Sequence, residues 1–495
     1  MMRGHLARLA RQTLGYGIGQ ALSRFAGVVL VPIYTRVLSP ADYGTWGVVN
    51  TVATILSLLV FFGLDTAMAR FYFETDDPEE RRRLVGTAFW TVMAWTVVLI
   101  GLAIAAAPLI AAWVLGRSAY EPYLRLALLT IPFSVLQWMQ LLMLRIRFAL
   151  VRYNILSLGN LVLGAGMSVL LAAGLGYGLR GIFLGILIGY VSTSLIGWWI
   201  NRSLIGRWSR PLLRPMLAMG LPLLPVGLGY WALSYVDRWF LTRAVSPAEL
   251  GLYELANKVT AGIALFTSTF QYAWGPFSYS IEQREGSLRT YAKALSYYAF
   301  FTLGGALALG LFAREVLIVF TPPAFHSAYL VVAPLTYAPV AYGAYTLLST
   351  GATLAKRTSA IATTTIVAGL ANLALNLLLI TWWGWGIMGA ACATGLSFVL
   401  ASALLYRSAQ RVYPIPYEVG KVVRALAIQV ALMATLTVAV GLAYWPGLAL
   451  RLGALLAYPP LLWLAGCFDD WELRLMLRAL RQPRRLLGWV GGRFS

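Results

Sequence analysis

Charge is scarce in this 495-residue sequence: Asp, Glu, Lys and Arg together make up 12% of it, while 60% of its positions are hydrophobic. Soluble chains carry about 25% charged residues because a folded surface must face water, so soluble domains are excluded and lipid must serve as solvent. Acids are scarcer still, 18 against 39 bases, and histidine occurs only as His5 and His326, too far apart to form a catalytic or metal-binding pair. Two cysteines, Cys392 within an apolar run and Cys467 near the C-terminal end, exclude a disulfide framework and a Cys-rich metal site. Aromatic residues are not lacking, at 13%, and with the long apolar runs they exclude disorder. Barrel-like alternation is absent as well, which leaves helices, the segments whose backbone groups pair internally in hydrocarbon.

A membrane helix needs about 20 mostly apolar residues, and cutting the chain at its charged and Gly/Pro-rich breaks gives about fourteen such stretches. They run over 13–37, 44–66, 85–107, 123–144, 155–176, 181–201, 217–242, 251–278, 291–313, 328–354, 359–380, 386–406, 423–445 and 447–466. The start, MMRGHLARLARQ, imitates a secretory signal, but Arg24 interrupts the apolar run and no small-residue cleavage site follows, so it reads as an uncleaved first span. The formal net charge of +21 sits in short loops, which makes it a topology signal and gives no expectation of nucleic acid. Of the basic residues, 29 fall on the side of the N-terminus, and only Arg36, Arg117, Arg180, Arg243, Arg314 and Arg451 fall opposite. Both termini are therefore expected in the cytoplasm. The tail that begins at DDWELRLML is amphipathic and Arg-rich, as expected of a segment lying along anionic lipid.

An internal repeat is present. YTRVLSPADYGTWGVVNTV at 34–52 and LTRAVSPAELGLYELANKV at 241–259 share eight of nineteen residues at an offset of 207. GYGLRG at 176–181 and GWGIMG at 384–389 echo each other at an offset of 208. S-P-A-x-x-G also reads as a recurrent turn, with Pro opening it and Gly supplying φ > 0. Duplication places span 7 on span 1 with parallel orientation, as in transporters built from two lobes. The expected fold is an all-α polytopic membrane protein: a lobe at 1–210 with spans 1–6, a pseudo-symmetric lobe at 211–411 with spans 7–12, and 412–495 with spans 13 and 14 and a cytoplasmic tail.

An ionisable residue inside a span costs about 2.5–3.5 kcal/mol by insertion scales, so each one is expected to face a cavity or a partner. In span 1, Thr13, Gly17, Gln20, Arg24 and Gly27 recur on one helical face, a polar stripe whose central cation suits a phosphate or a buried acid. Span 2 carries Asn50, Thr54, Ser57 and Asp65, with Arg70 just beyond; Asp65 is a candidate partner of Arg24 or proton carrier. GLPLLPVGLGYW loosens span 7 ahead of Asp237 and Arg238, which project about 100° apart and are not expected to face one neighbour. In span 8, Tyr253, Asn257, Thr260, Thr267 and Gln271 share a face suited to water or sugar, flanked by Glu254, Lys258, Ser268 and Tyr272. Glu254 and Lys258 stand at the i,i+4 spacing of a neutralising pair.

YTRVLSPADYG after span 1, GLDTAMARFY closing span 2, YVDRWFL in span 7 and SPAELGLYELANK entering span 8 resemble the bacterial lipid-linked oligosaccharide flippases (Wzx-like) of polysaccharide biosynthesis. These belong to the multidrug/oligosaccharidyl-lipid/polysaccharide (MOP) exporter superfamily. The resemblance implies a MATE-like fold in the bacterial inner membrane, with no enzymatic activity and no cofactor. It implies transfer of a polyprenyl-pyrophosphate-linked oligosaccharide from the cytoplasmic to the periplasmic leaflet, for a cell-surface polysaccharide such as O-antigen. Transfer would run by alternating access through a cationic lumen, with a polysaccharide polymerase as a possible protein partner. Substrate-binding candidates are then Arg24, Arg36, Arg70, Arg238, Lys258, Gln20 and Asn257, and Asp65, Asp237 and Glu254 are candidates for H+ or Na+ coupling. The second copy carries Trp231 where the first has Arg24, so the cationic feature is one-sided. The lipid II flippase branch and a multidrug/cation antiporter are the alternatives, although a cationic drug favours an acidic cavity and the membrane-depth charges here balance. A membrane glycan polymerase or ligase would need a catalytic acid in a sizeable outer loop, and the outer loops are short.

Overall fold

The computed structural model describes residues 27–440, 442–469 and 472, and these residues form helices with no strand. The helices are α1 (Gly27–Val37), α2 (Pro40–Phe61), α3 (Leu64–Phe71), α4 (Pro78–Ala105), α5 (Ser118–Ile146), α6 (Leu150–Gly174), α7 (Gly178–Leu204) and α8 (Arg210–Ala244). They continue as α9 (Pro247–Ser280), α10 (Ser287–Phe320), α11 (Pro323–Leu354), α12 (Ser359–Trp382), α13 (Gly386–Gln410), α14 (Val419–Val438) and α15 (Tyr444–Leu464). Among the described residues, twelve helices are long and apolar enough to cross a membrane, all but α1, α3 and α9. Each of the twelve falls on an expected span, and two further expected spans correspond to α1 and α9. Gln20 and Arg24 lie outside the described residues, as does nearly all of the Arg-rich tail.

The repeated S-P-A-x-x-G motif starts a helix in both copies. Ser39 Oγ accepts from the Asp42 N–H at 3.1 Å while Asp42 accepts from the Ser39 N–H at 3.1 Å. Ser246 and Glu249 do the same for α9 at 3.2 and 2.9 Å. Pro40 and Pro247 occupy the first helical position, where a missing N–H costs nothing. The turn reading of this motif is therefore corrected: Gly44 and Gly251 are helical, and their lack of a side chain serves contact between helices. A Cβ on either would run into the other helix's proline carbonyl and stand 2.9–3.0 Å from the partner glycine's nitrogen. In lipid, where apolar surface gives helices no reason to associate, such small-residue approaches hold them together.

The second echo is structural too. Gly176 and Gly384 have φ of 73° and 69°, Gly178 and Gly386 have 52° and 53°, and each pair follows a π-helical turn, Leu170–Gly174 or Leu377–Trp382. Buried amides tie helices within the first copy: Gln137 donates to the Leu156 carbonyl (3.2 Å) and Thr193 Oγ1 (3.0 Å), and Gln140 to the Ser194 carbonyl (2.9 Å).

Two compact units result, Met1–Glu282 with Ala313–Pro414, and Gln283–Phe312 with Ile415–Ser495. Within the second, Lys293 contacts Asp469 (2.5 Å), Glu472 (2.7 Å) and Glu418 (3.5 Å), and Lys421 contacts Asp469 (2.6 Å) and Glu418 (3.0 Å). Hydrogen bonds from Lys293 and Lys421 hold the Asp469 carboxyl well below the usual carboxylate range. Burial pushes Glu472 up, but hydrogen bonds from Lys293 and Tyr297 outweigh it and leave that carboxyl lowered as well.

Candidate functional site

Polar side chains of α8 and α9 meet α2 in the interior of the first unit. Arg238 is the hub. Its Nε donates to Glu254 Oε1 at 2.8 Å and its Nη1 to the Ser234 carbonyl at 2.7 Å and Asp237 Oδ1 at 2.9 Å. Asp237 also accepts from the Tyr253 hydroxyl. Asp237 and Arg238 thus both reach α9, through Tyr253 and Glu254, against the expectation that they could not share a neighbour. Helical spacing separates the Cβ directions, and the long arginine side chain folds back to span the difference. All four residues are buried, so this is a low-dielectric network whose charges and lone pairs must be satisfied internally.

One end of the guanidinium is left over. No described residue accepts from Arg238 Nη2, and Arg238 lines a cavity of about 610 Å³. Around the same space stand Asn50, Thr51, Thr54 and Ser57 of α2, Thr130 and Ser134 of α5, Tyr190 of α7, and Glu254, Asn257 and Lys258 of α9. Lys258 does not pair with Glu254 across their i,i+4 spacing, because Arg238 takes that carboxylate. The Lys258 ammonium lies 5.6 Å from the Trp46 ring centroid, and no carboxylate stands within ion-pair distance of it among the described residues. The Trp46 indole N–H, buried at the cavity wall, has no hydrogen-bond partner among the described residues either. Gly47 makes room for the acid: a Cβ there would lie 2.7 Å from Glu254 Oε1.

Of the expected site residues, Arg238, Lys258, Asn257 and Glu254 line this cavity together, and Asp237 stands behind Arg238. Arg36, Arg70 and Asp65 do not line it. Exposed Arg36 donates to the Pro32 carbonyl at 3.0 Å, exposed Arg70 pairs with Glu74 at 2.9 Å, and Asp65 accepts from the Thr66 N–H at 2.8 Å and Trp138 Nε1 at 3.4 Å. Asn50, Thr54 and Ser57, singled out as a stripe, do face the cavity; Trp46, Tyr190, Thr130 and Ser134 were missed. A signal existed for Trp46, which precedes Asn50 by four positions on the same helical face.

A model of a family described as polysaccharide biosynthesis protein matches residues 33–328, more than half of the chain. No curated protein matches the chain. Solved structures do: lipid II flippase MurJ in an inward closed conformation shares 15% identity at a TM-score of 0.70, covering 89% of this chain and 97% of its own. A multidrug resistance MATE family transporter of the MOP superfamily, inward-facing, shares 17% at 0.64, covering 79% and 97%. An outward-facing conformation of such a transporter shares 17% at 0.57, covering 82% and 94%. At these identities the likeness is one of fold, and the family match supplies the rest: this multi-pass membrane chain belongs to the polysaccharide biosynthesis protein family and carries the MATE- and MurJ-like fold of the MOP superfamily.

Proposed function

We propose that this protein is a flippase that moves a polyprenyl-pyrophosphate-linked oligosaccharide from the cytoplasmic to the periplasmic leaflet of the bacterial inner membrane, with both termini in the cytoplasm. The observation that carries the reading is the cavity in which, among the described residues, one guanidinium edge of Arg238 and the Lys258 ammonium lack carboxylate partners. A pyrophosphate cannot cross hydrocarbon bare, and a guanidinium fork matches phosphate oxygens two at a time. Asn257 would add an amide, and the polyprenyl tail would stay in the bilayer. Arg24 and Gln20 remain sequence-based candidates for the same anion, and Arg36 and Arg70 would act at the two mouths of the path. Glu254 and Asp237, in contact with Arg238, and Asp65 are the coupling candidates: a proton or Na+ taken by Glu254 would loosen its hold on Arg238 and free the guanidinium for substrate.

The α2–α9 contact at Gly44 and Gly251 lies toward the end that the arginine distribution assigns to the outer side, so release to that side requires it to part. The test is leaflet transfer in proteoliposomes with a polyprenyl-pyrophosphate oligosaccharide, comparing the wild type with Lys258→Ala and collapsing H+ and Na+ gradients in turn. Transfer that falls with Lys258→Ala supports the reading. No transfer by the wild type refutes it, and rates indifferent to both gradients remove the coupling role. Lipid II in the same assay separates the two kinds of glycan lipid.

A further inference from the structure

A second cavity of about 690 Å³ lies among α1, α8, α9, α11 and α13 and shares Tyr235, Asn257, Lys258 and Ala261 with the first. Its volume is in the range of ligand pockets, about 300–1,000 Å³. Lys258, at that shared wall, is the one charged residue among its described lining residues. The remaining lining is of two kinds. Tyr230, Tyr342 and Phe398 form a continuous aromatic wall, with ring centroids 5.6 Å apart from Tyr230 to Tyr342 and 5.6 Å from Tyr342 to Phe398. Ser234, Ser268, Gln271 and Thr394 supply neutral polar groups.

Two of these polar groups are set for a ligand. Gln271 is fixed by donating to Thr346 Oγ1 at 2.8 Å. Thr394 is 7% exposed, and its hydroxyl has no hydrogen-bond partner among the described residues. A buried hydroxyl is ordinarily paired, and one that lacks a protein partner at a cavity wall is completed by water or ligand.

We propose that this chamber is the glycan subsite, taking uncharged pyranose residues that adjoin the pyrophosphate held at Arg238 and Lys258. The inference rests on the flippase reading above and deepens it. A pyranose presents an apolar C–H face and a rim of hydroxyls, which is the complement of an aromatic wall bordered by amide and hydroxyl groups. An acyl chain would strand the polar groups; among the described lining residues a cationic drug would meet Lys258 with no acid to offset it, and a uronic acid would find no cation beyond the shared wall.

The test uses the full-length protein in detergent and measures equilibrium binding of three probes: bare polyprenyl pyrophosphate, the same lipid carrying a neutral hexose tetrasaccharide, and that lipid with a hexuronic acid as its first sugar. The neutral glycolipid is expected to bind more tightly than the bare lipid. Tyr342→Ala should weaken it roughly three- to tenfold, the loss of one stacked ring, while leaving the bare lipid unchanged, which also shows that the variant is folded. Thr394→Val, which keeps the shape and removes the hydroxyl, should weaken the same probe in the same selective way. Equal binding of neutral and bare lipids, or a preference that survives both variants, overturns the subsite and leaves the flippase standing. Uronic glycolipid bound as tightly as the neutral one overturns the assignment to uncharged sugars. Failure of all three probes to bind refutes the flippase reading, and this inference with it.

Discussion

Replacing Gly251 by alanine should pry α2 from α9. The new Cβ would overlap the Pro40 carbonyl oxygen and lie 3.0 Å from the Gly44 nitrogen, and both are backbone atoms of a capped helix start that cannot rotate away. Overpacking of this kind costs about 1–3 kcal/mol. If the cost falls on the joined state alone, the ratio of joined to parted molecules shifts by about 5- to 150-fold. The readout is access to the cavity. With Cys392 and Cys467 changed to serine, a cysteine at Ala261, which lines both cavities, is exposed to a membrane-impermeant maleimide from the side assigned as outer. Labelling should be slow with Gly251 intact and rise severalfold in Gly251→Ala, with transport falling because the gate no longer closes. Unchanged labelling together with an unchanged melting temperature would refute the claim that this glycine contact seals the path.

Other expectations follow from the same contacts. Arg238→Ala strands Asp237 and Glu254, both buried, and should cost about 3–5 kcal/mol, seen as a clear fall in thermal midpoint. Lys258→Ala breaks no ion pair, so its midpoint should stay within error while pyrophosphate binding weakens about tenfold, a loss of about 1.4 kcal/mol. Asp469 is held below its ordinary value, so its stabilisation is complete above the unfolded carboxylate pKa and disappears as pH falls through the folded one. The midpoint gap between wild type and Asp469→Asn should therefore stay level from about pH 7 to 5 and narrow only below about pH 4. Gln137→Leu should destabilise more than Gln140→Leu, since Gln137 makes two bonds to neighbouring helices whereas Gln140 makes one and keeps a buried, unpartnered Oε1; interhelical bonds average about 0.6 kcal/mol.

Helices and fold were legible in the residues because lipid imposes one rule on every span, a long apolar helix, and hydropathy reads that rule directly. The capping boxes were legible in principle too, as S-P-x-D and S-P-x-E ahead of apolar runs; the loop reading failed because the same letters also start turns. Partner choice in the site was not legible. Glu254 has Lys258 one turn away and Arg238 sixteen residues away on another helix, and local spacing favours the nearer cation. The packing of α8 against α9 decides for the farther one. Tyr230 and Tyr342, distant in sequence, meet at 5.6 Å for the same reason; their mid-span positions set them apart from interfacial aromatics but do not say which helix each one faces.

The repeat explains why the frame is symmetric and the chemistry is not. At the offset of 207, Pro40, Gly44 and Asn50 meet their own kind in Pro247, Gly251 and Asn257, and the first two pairs build the contact between α2 and α9. Inward from that contact the copies diverge: Gly47 stands opposite Glu254 in the alignment, Trp46 opposite Tyr253, and Thr51 opposite Lys258. The divergence is also complementary in space, because the missing side chain at Gly47 leaves the room that the Glu254 carboxylate fills while it holds Arg238. A contact that must close on itself gains from two like surfaces, since one small-residue solution serves both helices. A pyrophosphate with sugar on one end and lipid on the other has no such symmetry, and a cavity whose described cations, Arg238 and Lys258, both come from the second copy can hold it in a single orientation. Restoring a side chain at position 47 should act on the site and spare the gate: Gly47→Ala displaces only the flexible end of Glu254, so it should weaken glycolipid binding while the Ala261→Cys labelling rate stays at its parent value.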